Sequence, residues 1–253
     1  MPSPTPGPPR PRRIRALTRW LARGWLWLSR PFKRRRLERR EILEIAGVRV
    51  AVLPGVHHPV VFRSGRLFAD FLCDTDLLDT RRGRRALDLG TGTGVNALVA
   101  ARRGFEVVGV DINPRAVRCA RANAEINLLE DRIKVLRGDL FDPVAGQAFD
   151  LILFNPPFFL GQPQTPGDAA WYGDLVLDRF AQGLPVTLTP GGQAFVIMST
   201  DGEEQMLLDA LTAEPLDVEP AHRHDFGNEI MTIYRVTRTE PAIPRTPTAA
   251  PPP

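Results

Sequence analysis

The stretch that decides the fold runs from residue 85 to residue 142 and reads RALDLGTGTGVNALVAARRGFEVVGVDINPRAVRCARANAEINLLEDRIKVLRGDLFD. Short apolar runs alternate in it with longer stretches whose apolar residues recur every three to four positions. The pattern predicts strands at 86–89, 106–110 and 133–136 and helices at 94–103 and 114–127. Strands that alternate with helices form mostly parallel sheets with helices on both faces, so we expect a doubly wound α/β fold.

The same alternation continues on both sides of this stretch. Residues 42–55 predict a β-hairpin, and a helix is expected over residues 64–78 with Ser64 as its N-cap. Asn113 followed by Pro114 is typical of a helix start, because the asparagine caps and the proline lacks only an N–H that needs no partner there. Downstream, the pattern predicts strands at 150–154, 193–199, 216–222 and 229–238, with helices near 170–185 and at 201–212.

A glycine-rich turn follows the first strand of the deciding stretch. The sequence LDLGTGTG at residues 87–94 places Gly90, Gly92 and Gly94 between a strand and a helix. Glycines there allow a tight turn and a close approach of the backbone to a ligand. The spacing departs from the G-x-G-x-x-G of dinucleotide-binding folds because residue 95 is valine, and no Gly-Lys-Ser/Thr of a phosphate-binding loop follows.

Three acidic residues stand at the ends of three successive predicted strands, at Asp88, Asp111 and Asp139. The carboxyl ends of parallel strands meet at one edge of the sheet, so these side chains are expected to line one crevice. Asp111 is placed to accept hydrogen bonds from ribose hydroxyls. Asp139 is placed to accept a hydrogen bond from the amino group of an adenine ring, and Ile112 is placed to pack against one face of that ring. Asp88 either supports the glycine turn or attracts a positive group, so a cationic nucleoside without phosphates suits the crevice better than NAD.

A proline-rich turn ends the next predicted strand. Residues 150–158 read DLILFNPPF, so an apolar strand stops on Asn155, Pro156, Pro157 and Phe158. Asparagine before proline is also ordinary turn chemistry, and two prolines end a strand by themselves. The position of the segment suggests a functional role, because its strand would end beside the glycine turn.

These motifs together resemble those of class I methyltransferases, which use S-adenosylmethionine (SAM). The resemblance rests on D-x-G-T-G-T-G, the acid after the second strand, GDL after the third and N-P-P-F after the fourth, and it covers about residues 45–238. It implies a Rossmann-like, seven-stranded, mostly parallel sheet whose last strand is antiparallel, with SAM as cofactor. The cofactor-binding residues expected on this basis are Asp88, Gly90, Thr91, Gly92, Gly94, Asp111, Ile112, Asp139, Leu140 and Asn155.

The Asn-Pro-Pro-Phe turn indicates the kind of acceptor. In the family that this chain resembles, Asn-Pro-Pro followed by Phe or Tyr marks enzymes that methylate NH2 nitrogens of glutamine side chains, adenine N6 or guanine N2. The lone pair of such a nitrogen is conjugated, so the site has to orient it. The side chain of Asn155 can accept one N–H, and the carbonyl of Pro156 can accept the other. Phe158 can stack on the planar group, which completes the predicted catalytic set.

A second resemblance favours a protein acceptor. Residues 168–180, DAAWYGDLVLDRF, are similar to the AAW…G…DRF stretch of small single-domain release-factor glutamine methyltransferases. The chain departs from them at Gly173, which alone remains of a glycine-rich segment, and at residues 1–40. Glutamine of a protein, such as a release factor, is therefore the favoured acceptor. An exocyclic amine of an RNA base is the alternative, and a SAM-binding protein without catalysis is a third hypothesis.

Charge and composition divide the 253-residue chain into three parts. Residues 1–40 hold 13 Lys/Arg and one Glu, a net charge of +12, whereas the remainder carries −8. Within this arm, residues 14–40 predict an amphipathic helix with an arginine face, which could lie on an anionic membrane, bind RNA phosphates or pack on the domain. We expect a partly disordered arm at 1–40, the methyltransferase domain at 41–240 and a disordered Pro-rich tail at 241–253.

Few other chemistries are favoured by the sequence. Cys73 and Cys119 lie far apart and suggest neither a disulfide framework nor a zinc cluster. His222, His224 and Asp225 could share one side of a strand, but no further ligand is evident and no metal is expected. No apolar run is long enough to span a bilayer, and no secretory signal is recognisable. The chain is therefore expected to be a cytoplasmic monomer, with peripheral membrane association through residues 14–40 as an option.

Overall fold

The computed structural model describes residues 40–78, 84–156, 173–200, 204–227 and 229–239. Apart from Arg40, the predicted basic arm at 1–40 lies outside the described residues, as does the predicted tail at 241–253. The division of the chain into arm, domain and tail therefore stays a prediction for its two ends.

Nine strands and five α-helices form the described structure. The strands are β1 (Glu41–Ile45), β2 (Val48–Val52), β3 (Arg85–Leu89), β4 (Glu106–Asp111), β5 (Ile133–Arg137), β6 (Phe149–Phe154), β7 (Leu188–Ser199), β8 (Leu216–Asp225) and β9 (Ile230–Arg238). The helices are α1 (Ser64–Asp74), α2 (Val95–Arg102), α3 (Pro114–Ile126), α4 (Gly173–Thr187) and α5 (Glu204–Thr212). A short 3₁₀ helix spans Asp142–Val144. The elements follow the predicted order, with boundaries that differ by a few residues.

Seven strands form one sheet in the order β5-β4-β3-β6-β7-β9-β8. Strands β3 to β7 are parallel, and β9 lies antiparallel between β7 and β8. The predicted seven-stranded, mostly parallel sheet with an antiparallel last strand is thus confirmed. Strands β1 and β2 form a separate antiparallel hairpin, as predicted.

The core explains why the central strands are apolar throughout. In β6, Leu151 and Leu153 belong to a core cluster shared with α1, α2 and the hairpin, whereas Ile152 and Phe154 belong to a second cluster with α4 and α5. Side chains alternate between the faces of a strand, so a sheet that is covered on both faces needs apolar residues at every position. The predicted helix layers on both faces follow from this arrangement.

The starts of α1 and α3 were predicted with different success. The side chain of Asn113 accepts a hydrogen bond from Arg115 N, 2.9 Å long, and caps α3 as predicted. Ser64 does not cap α1. The chain enters that helix through Arg63 at φ 59°, and Ser64 already lies within the first turn. The prediction for Ser64 was wrong because the turn before the helix closes through its own backbone, with Phe62 N bonded to His58 O.

We expect Gly94→Ala to destabilise the fold more than Gly146→Ala does. Both glycines have positive φ, 81° and 76°, so both substitutions strain the backbone. At Gly94 a Cβ would also lie 3.0 Å from the Cβ of Ala120 on α3, whereas nothing lies within 4 Å at Gly146. Urea unfolding should show an additional loss of roughly 1–3 kcal/mol for Gly94→Ala. Equal losses in the two variants would contradict close packing between the glycine turn and α3.

Candidate active site

The glycine turn, residues 90–94, leaves the carboxyl end of β3 and leads into α2. Gly90 and Gly92 have φ values of 62° and 57°, a region in which residues with side chains are strained. The turn is closed by Thr91 N, which donates to Val110 O at 3.0 Å, and by Gly94 N, which donates to Thr91 O at 2.7 Å. A Cβ at Gly90 would meet nothing within 4 Å, so the backbone there faces open space.

Asp111 binds the glycine turn from the end of β4. Its Oδ2 accepts a hydrogen bond from Gly92 N and its Oδ1 accepts one from Asn113 N, both 2.8 Å long. Burial raises the pKa of Asp111, and the two backbone hydrogen bonds oppose this shift. Each carboxylate oxygen keeps a lone pair for a ligand hydroxyl, so the residue suits the role predicted for it.

Asp88 lies beneath the turn and not in the crevice itself. It is 1% exposed, and its Oδ2 accepts a hydrogen bond of 2.6 Å from Thr91 Oγ1. Burial raises the pKa of Asp88 to about 7, against the hydrogen bonds from Thr91 and Ala97. Of the two roles predicted for Asp88, the structure favours support of the turn.

Asp139, which follows β5, pairs with a helix that follows the proline-rich turn. Arg179 of α4 donates to Asp139 Oδ2 at 2.6 Å, and its other terminal nitrogen lies 3.7 Å from Asp142 Oδ1. The hydrogen bond to Asp139 raises the pKa of Arg179. This partner lies 40 residues downstream and was not predicted.

One crevice collects many of the residues predicted from the sequence. Six of them line it: Gly90, Thr91, Gly92, Asp111, Asn155 and Pro156. Eight further residues complete its walls: His57, Pro59, Gly65, Thr93, Val95, Asn96, Asn113 and Ala116. Asp88, Gly94, Ile112, Asp139 and Leu140 are not among the lining residues. Phe158 lies outside the described residues, so its predicted stacking role stays a prediction.

Asn96 is a crevice residue that sequence reasoning missed. It is 5% exposed, and its Oδ1 has no hydrogen-bond partner among the described residues. The buried Oγ of Ser64, next to the lining residue Gly65, is also without a partner there. A buried polar atom without a partner is costly, so these two atoms indicate that a ligand completes the crevice. A single asparagine in the otherwise apolar start of α2, VNALVAA, was the available signal.

The glycine turn forms one wall of the crevice. The opposite wall is the segment from residue 53 to residue 63, called here the cover segment. It follows β2 and carries His57, whose ring stacks on Phe62 with 4.5 Å between the ring centres. Burial and the neighbouring His58 lower the pKa of His57 to about 4. The side chain of His57 is nevertheless exposed to solvent, and water weakens this shift. His57 and Pro59 line the crevice.

A wider groove elsewhere in the molecule is not the candidate ligand-binding site. It lies at the amino ends of β4 and β5, lined by charged residues such as Arg85, Glu106 and Lys134. Ligands of open α/β sheets bind at the carboxyl ends of the strands, where the glycine turn and Asp111 lie. We therefore assign the site by its chemistry and not by the size of the groove.

The described part of the chain contains neither a metal-binding cluster nor a helix that could span a bilayer. The rings of His222 and His224 stack 6.5 Å apart, but no group of three or more His, Cys, Asp or Glu residues is arranged there to hold a metal. None of the described helices combines the length and apolar character that crossing a bilayer requires.

Comparison with known proteins identifies the family. Residues 56–215 match the family model of the methyltransferase small domain, a region that contains the glycine turn and Asn155. This chain belongs to that family. It is a SAM-dependent N-methyltransferase with a Rossmann-like fold, as the sequence predicted.

Three relatives illustrate the range of acceptors in this family. A protein of Methanocaldococcus jannaschii, provisionally named a protein N5-glutamine methyltransferase, is 32% identical over 78% of this chain and 99% of its own. The tRNA1(Val) (adenine(37)-N6)-methyltransferase of Porphyromonas gingivalis is 36% identical, over 51% of this chain and 55% of its own. The T. thermophilus 16S rRNA N2 G1207 methyltransferase, solved with AdoMet and guanosine, is 25% identical with a TM-score of 0.56. That match covers 79% of this chain and 50% of the rRNA enzyme.

The residues of the crevice fit the methyltransferase cofactor. The open space at Gly90 admits a ligand against the turn, and Asp111 offers acceptors for ribose hydroxyls. The partnerless Asn96 Oδ1 offers an acceptor for an ammonium group, and SAM carries one. When bound, SAM supplies a methyl group that is already activated on a sulfonium.

The pKa of Asp88 predicts a pH dependence of stability. Because its pKa is raised to about 7, Asp88 stays protonated below that pH in the folded protein, whereas in the unfolded chain it loses the proton near its ordinary pKa of 3.8. The native state therefore binds more protons in this window, so its stability falls as pH rises. Asp88→Asn removes this titration. The free energy of unfolding of wild type, relative to the variant, should fall by roughly 2–4 kcal/mol between about pH 4 and about pH 7.

Urea unfolding of both proteins at several pH values measures this difference. Asp111, whose pKa is also raised, is present in both proteins, and its charge is the smallest of the four causes of the Asp88 shift, so most of its own contribution cancels in the comparison. Parallel pH profiles for wild type and Asp88→Asn would show that Asp88 is ionised in the folded state at acidic pH.

Proposed function

We propose that this enzyme methylates the side-chain nitrogen of a glutamine in a protein. The observation that carries the proposal is the match to the provisionally named glutamine methyltransferase of M. jannaschii, which extends over 99% of that protein and 78% of this chain. The tRNA relatives match over about half of each chain, 51% and 55% in one example. The similarity to the glutamine enzyme therefore includes parts of the domain that the tRNA relatives do not share.

Charge supports the same acceptor class. Residues 41–253 carry a net charge of −8, so the domain itself would repel an RNA backbone. The positive charge that RNA binding requires is concentrated in residues 1–40, with +12. A protein acceptor needs no such arm, whereas the RNA alternative depends on it.

The geometry at the end of β6 supports transfer to a planar NH2 group. Asn155 and Pro156 line the crevice together with Gly90 and Asp111, so acceptor and cofactor groups meet there. In the proposed reaction the side-chain oxygen of Asn155 accepts one N–H of the glutamine amide, and the Pro156 carbonyl accepts the other. These two contacts turn the nitrogen lone pair toward the methyl group, and they strengthen as positive charge develops on that nitrogen. The new N–C bond would form as the bond between the methyl carbon and sulfur breaks, and the nitrogen would then release one proton to water.

Cofactor binding is proposed to use the acids of the second and third parallel strands. Asp111 would accept the ribose hydroxyls with the lone pairs that Gly92 and Asn113 leave free. Asp139 would accept the adenine amino group through Oδ1, since Arg179 occupies Oδ2. Asp111→Ala should therefore weaken SAM binding by at least about tenfold in calorimetry, because the charge-assisted hydrogen bonds from the ribose hydroxyls to the carboxylate are lost. An unchanged affinity would refute this assignment.

Asn155→Ala should separate catalysis from cofactor binding. We expect turnover to fall by about 10²-fold or more, by analogy with the loss of one preorganised polar contact. The affinity for SAM, measured by calorimetry without acceptor, should remain close to that of wild type. A variant that keeps full turnover would refute the orienting role of Asn155.

The acceptor itself can be identified with labelled SAM. Lysate is incubated with the enzyme and radiolabelled SAM, and the product is then digested with protease or with ribonuclease. Label released by protease, and found as N5-methylglutamine after complete enzymatic digestion to amino acids, supports the proposal. Label released by ribonuclease would overturn it in favour of the adenine or guanine amine, which the tRNA relatives make the second candidate.

Deletion of residues 1–40 is the matching control for the RNA alternative. Binding of RNA through the arm predicts an activity that falls steeply with added salt and loses most of that dependence in the deletion variant. Methylation of a protein acceptor predicts similar salt dependence with and without the arm.

A further inference from the structure

Asn123 of α3 joins two parts of the chain that are far apart in sequence. The side chain is fully buried, and its Oδ1 accepts a hydrogen bond of 2.8 Å from Ala51 N in β2. Its Nδ2 donates to Ala51 O and to Thr93 O, each at 2.8 Å. Both N–H donors of the amide are thus used on carbonyl groups, one in the hairpin and one in the glycine turn.

Those two parts lead into the two walls of the crevice. Thr93 belongs to the glycine turn, which forms one wall and lines the crevice itself. Ala51 lies next to Val52, where β2 ends and the cover segment begins. The walls are close together, because a Cβ on Gly92 would lie 4.0 Å from the Cβ of His57. The separation of the walls decides whether a nucleoside fits between them.

We propose that Asn123 is a positioning residue for SAM, whose single amide sets the separation between the glycine turn and the cover segment. It does not line the crevice, so it acts through the two backbone segments that it joins. The inference rests on SAM binding, which the family establishes, and not on the identity of the methyl acceptor.

Other side chains shape the cover segment without reaching the glycine turn in the bonds described. Asn113 Nδ2 donates to Gly55 O at 3.0 Å, which fixes the segment to the start of α3. The buried His58 pairs through Nε2 with Glu41 of β1 at 2.9 Å, and its Nδ1 lies 3.3 Å from the backbone nitrogens of two following residues. These contacts hold the segment to itself, to the hairpin and to α3. The bond from Asn123 to Thr93 adds the direct connection to the opposite wall.

Asn127 provides a matched control one helical turn away. Its Oδ1 accepts from Arg49 N at 2.9 Å, and its Nδ2 donates to Arg49 O at 2.7 Å. The second Nδ2 bond goes to Asn123 O within α3, again at 2.7 Å. Asn127 therefore holds the same hairpin strand through the same kind of amide contact, but its remaining donor stays in the helix and not on the glycine turn.

The test compares Asn123→Asp with Asn127→Asp. Each substitution keeps the size of the side chain and one acceptor, and each places a carboxylate against two carbonyl groups that had received N–H bonds. We expect both variants to melt at a lower temperature than wild type. Calorimetry should show SAM binding weakened by at least about tenfold in Asn123→Asp and by less than about twofold in Asn127→Asp.

Two outcomes would overturn the proposal. The first is SAM affinity within about twofold of wild type in Asn123→Asp, and the second is an equal loss of affinity in both variants. Either result would make Asn123 a residue of general stability. If Asn123→Asp does not fold, Asn123→Ser takes its place, since its hydroxyl is too short to bridge both carbonyls, and the same two outcomes apply. Calorimetry measures SAM binding without a methyl acceptor, so the test remains valid even if the enzyme does not methylate glutamine.

Discussion

The hydrogen bond from Gly92 N to Asp111 Oδ2 is the contact on which the cofactor site depends. It joins the turn after β3 to the end of β4, so the two strand ends present one surface. The turn can approach Asp111 because Gly90 and Gly92 adopt positive φ, which side chains would oppose. The same carboxylate also receives Asn113 N at the start of α3, and through this single group the turn, the strand and the next helix are held in register.

This arrangement places two buried acids, Asp111 in the wall of the crevice and Asp88 beneath the glycine turn, near the space that a positively charged ligand would occupy. Burial raises the pKa values of Asp88 and Asp111, so the empty site disfavours ionised carboxylates. A ligand that brings positive charge reduces this cost, because an opposite charge nearby favours the ionised form. A protein that binds a sulfonium and an ammonium can therefore keep acids that would weaken the fold of a protein without such a ligand. The partnerless Asn96 Oδ1 fits the same interpretation, since it too is left for a ligand to satisfy.

The features that the sequence predicted are those that depend on local pattern. The strand ends identified Asp88 and Asp111, and the parallel sheet brought Asp111, Asn155 and the glycine turn into one crevice. The contacts of Asp139 with Arg179 and of Asn123 with Ala51 were not predicted, because 40 and 72 residues separate the partners. Only the packing of helices on strands brings such residues together, and no periodicity within one element encodes it. Asn96 lies between these cases, since its helix was predicted but the direction of its side chain was not.

The position of β9 has a consequence for how the protein is made. The last of the described strands, β9, lies between β7 and β8, and its residues enter both core clusters, with Ile233 in one and Val236 in the other. On the ribosome, β8 emerges before β9 and has no neighbour in the sheet to pair with, while β7 keeps an open edge. The sheet is completed only when residues 230–238 have left the exit tunnel. The residues that line the crevice all precede residue 157, yet the sheet beneath them is completed only when β9 inserts between β7 and β8.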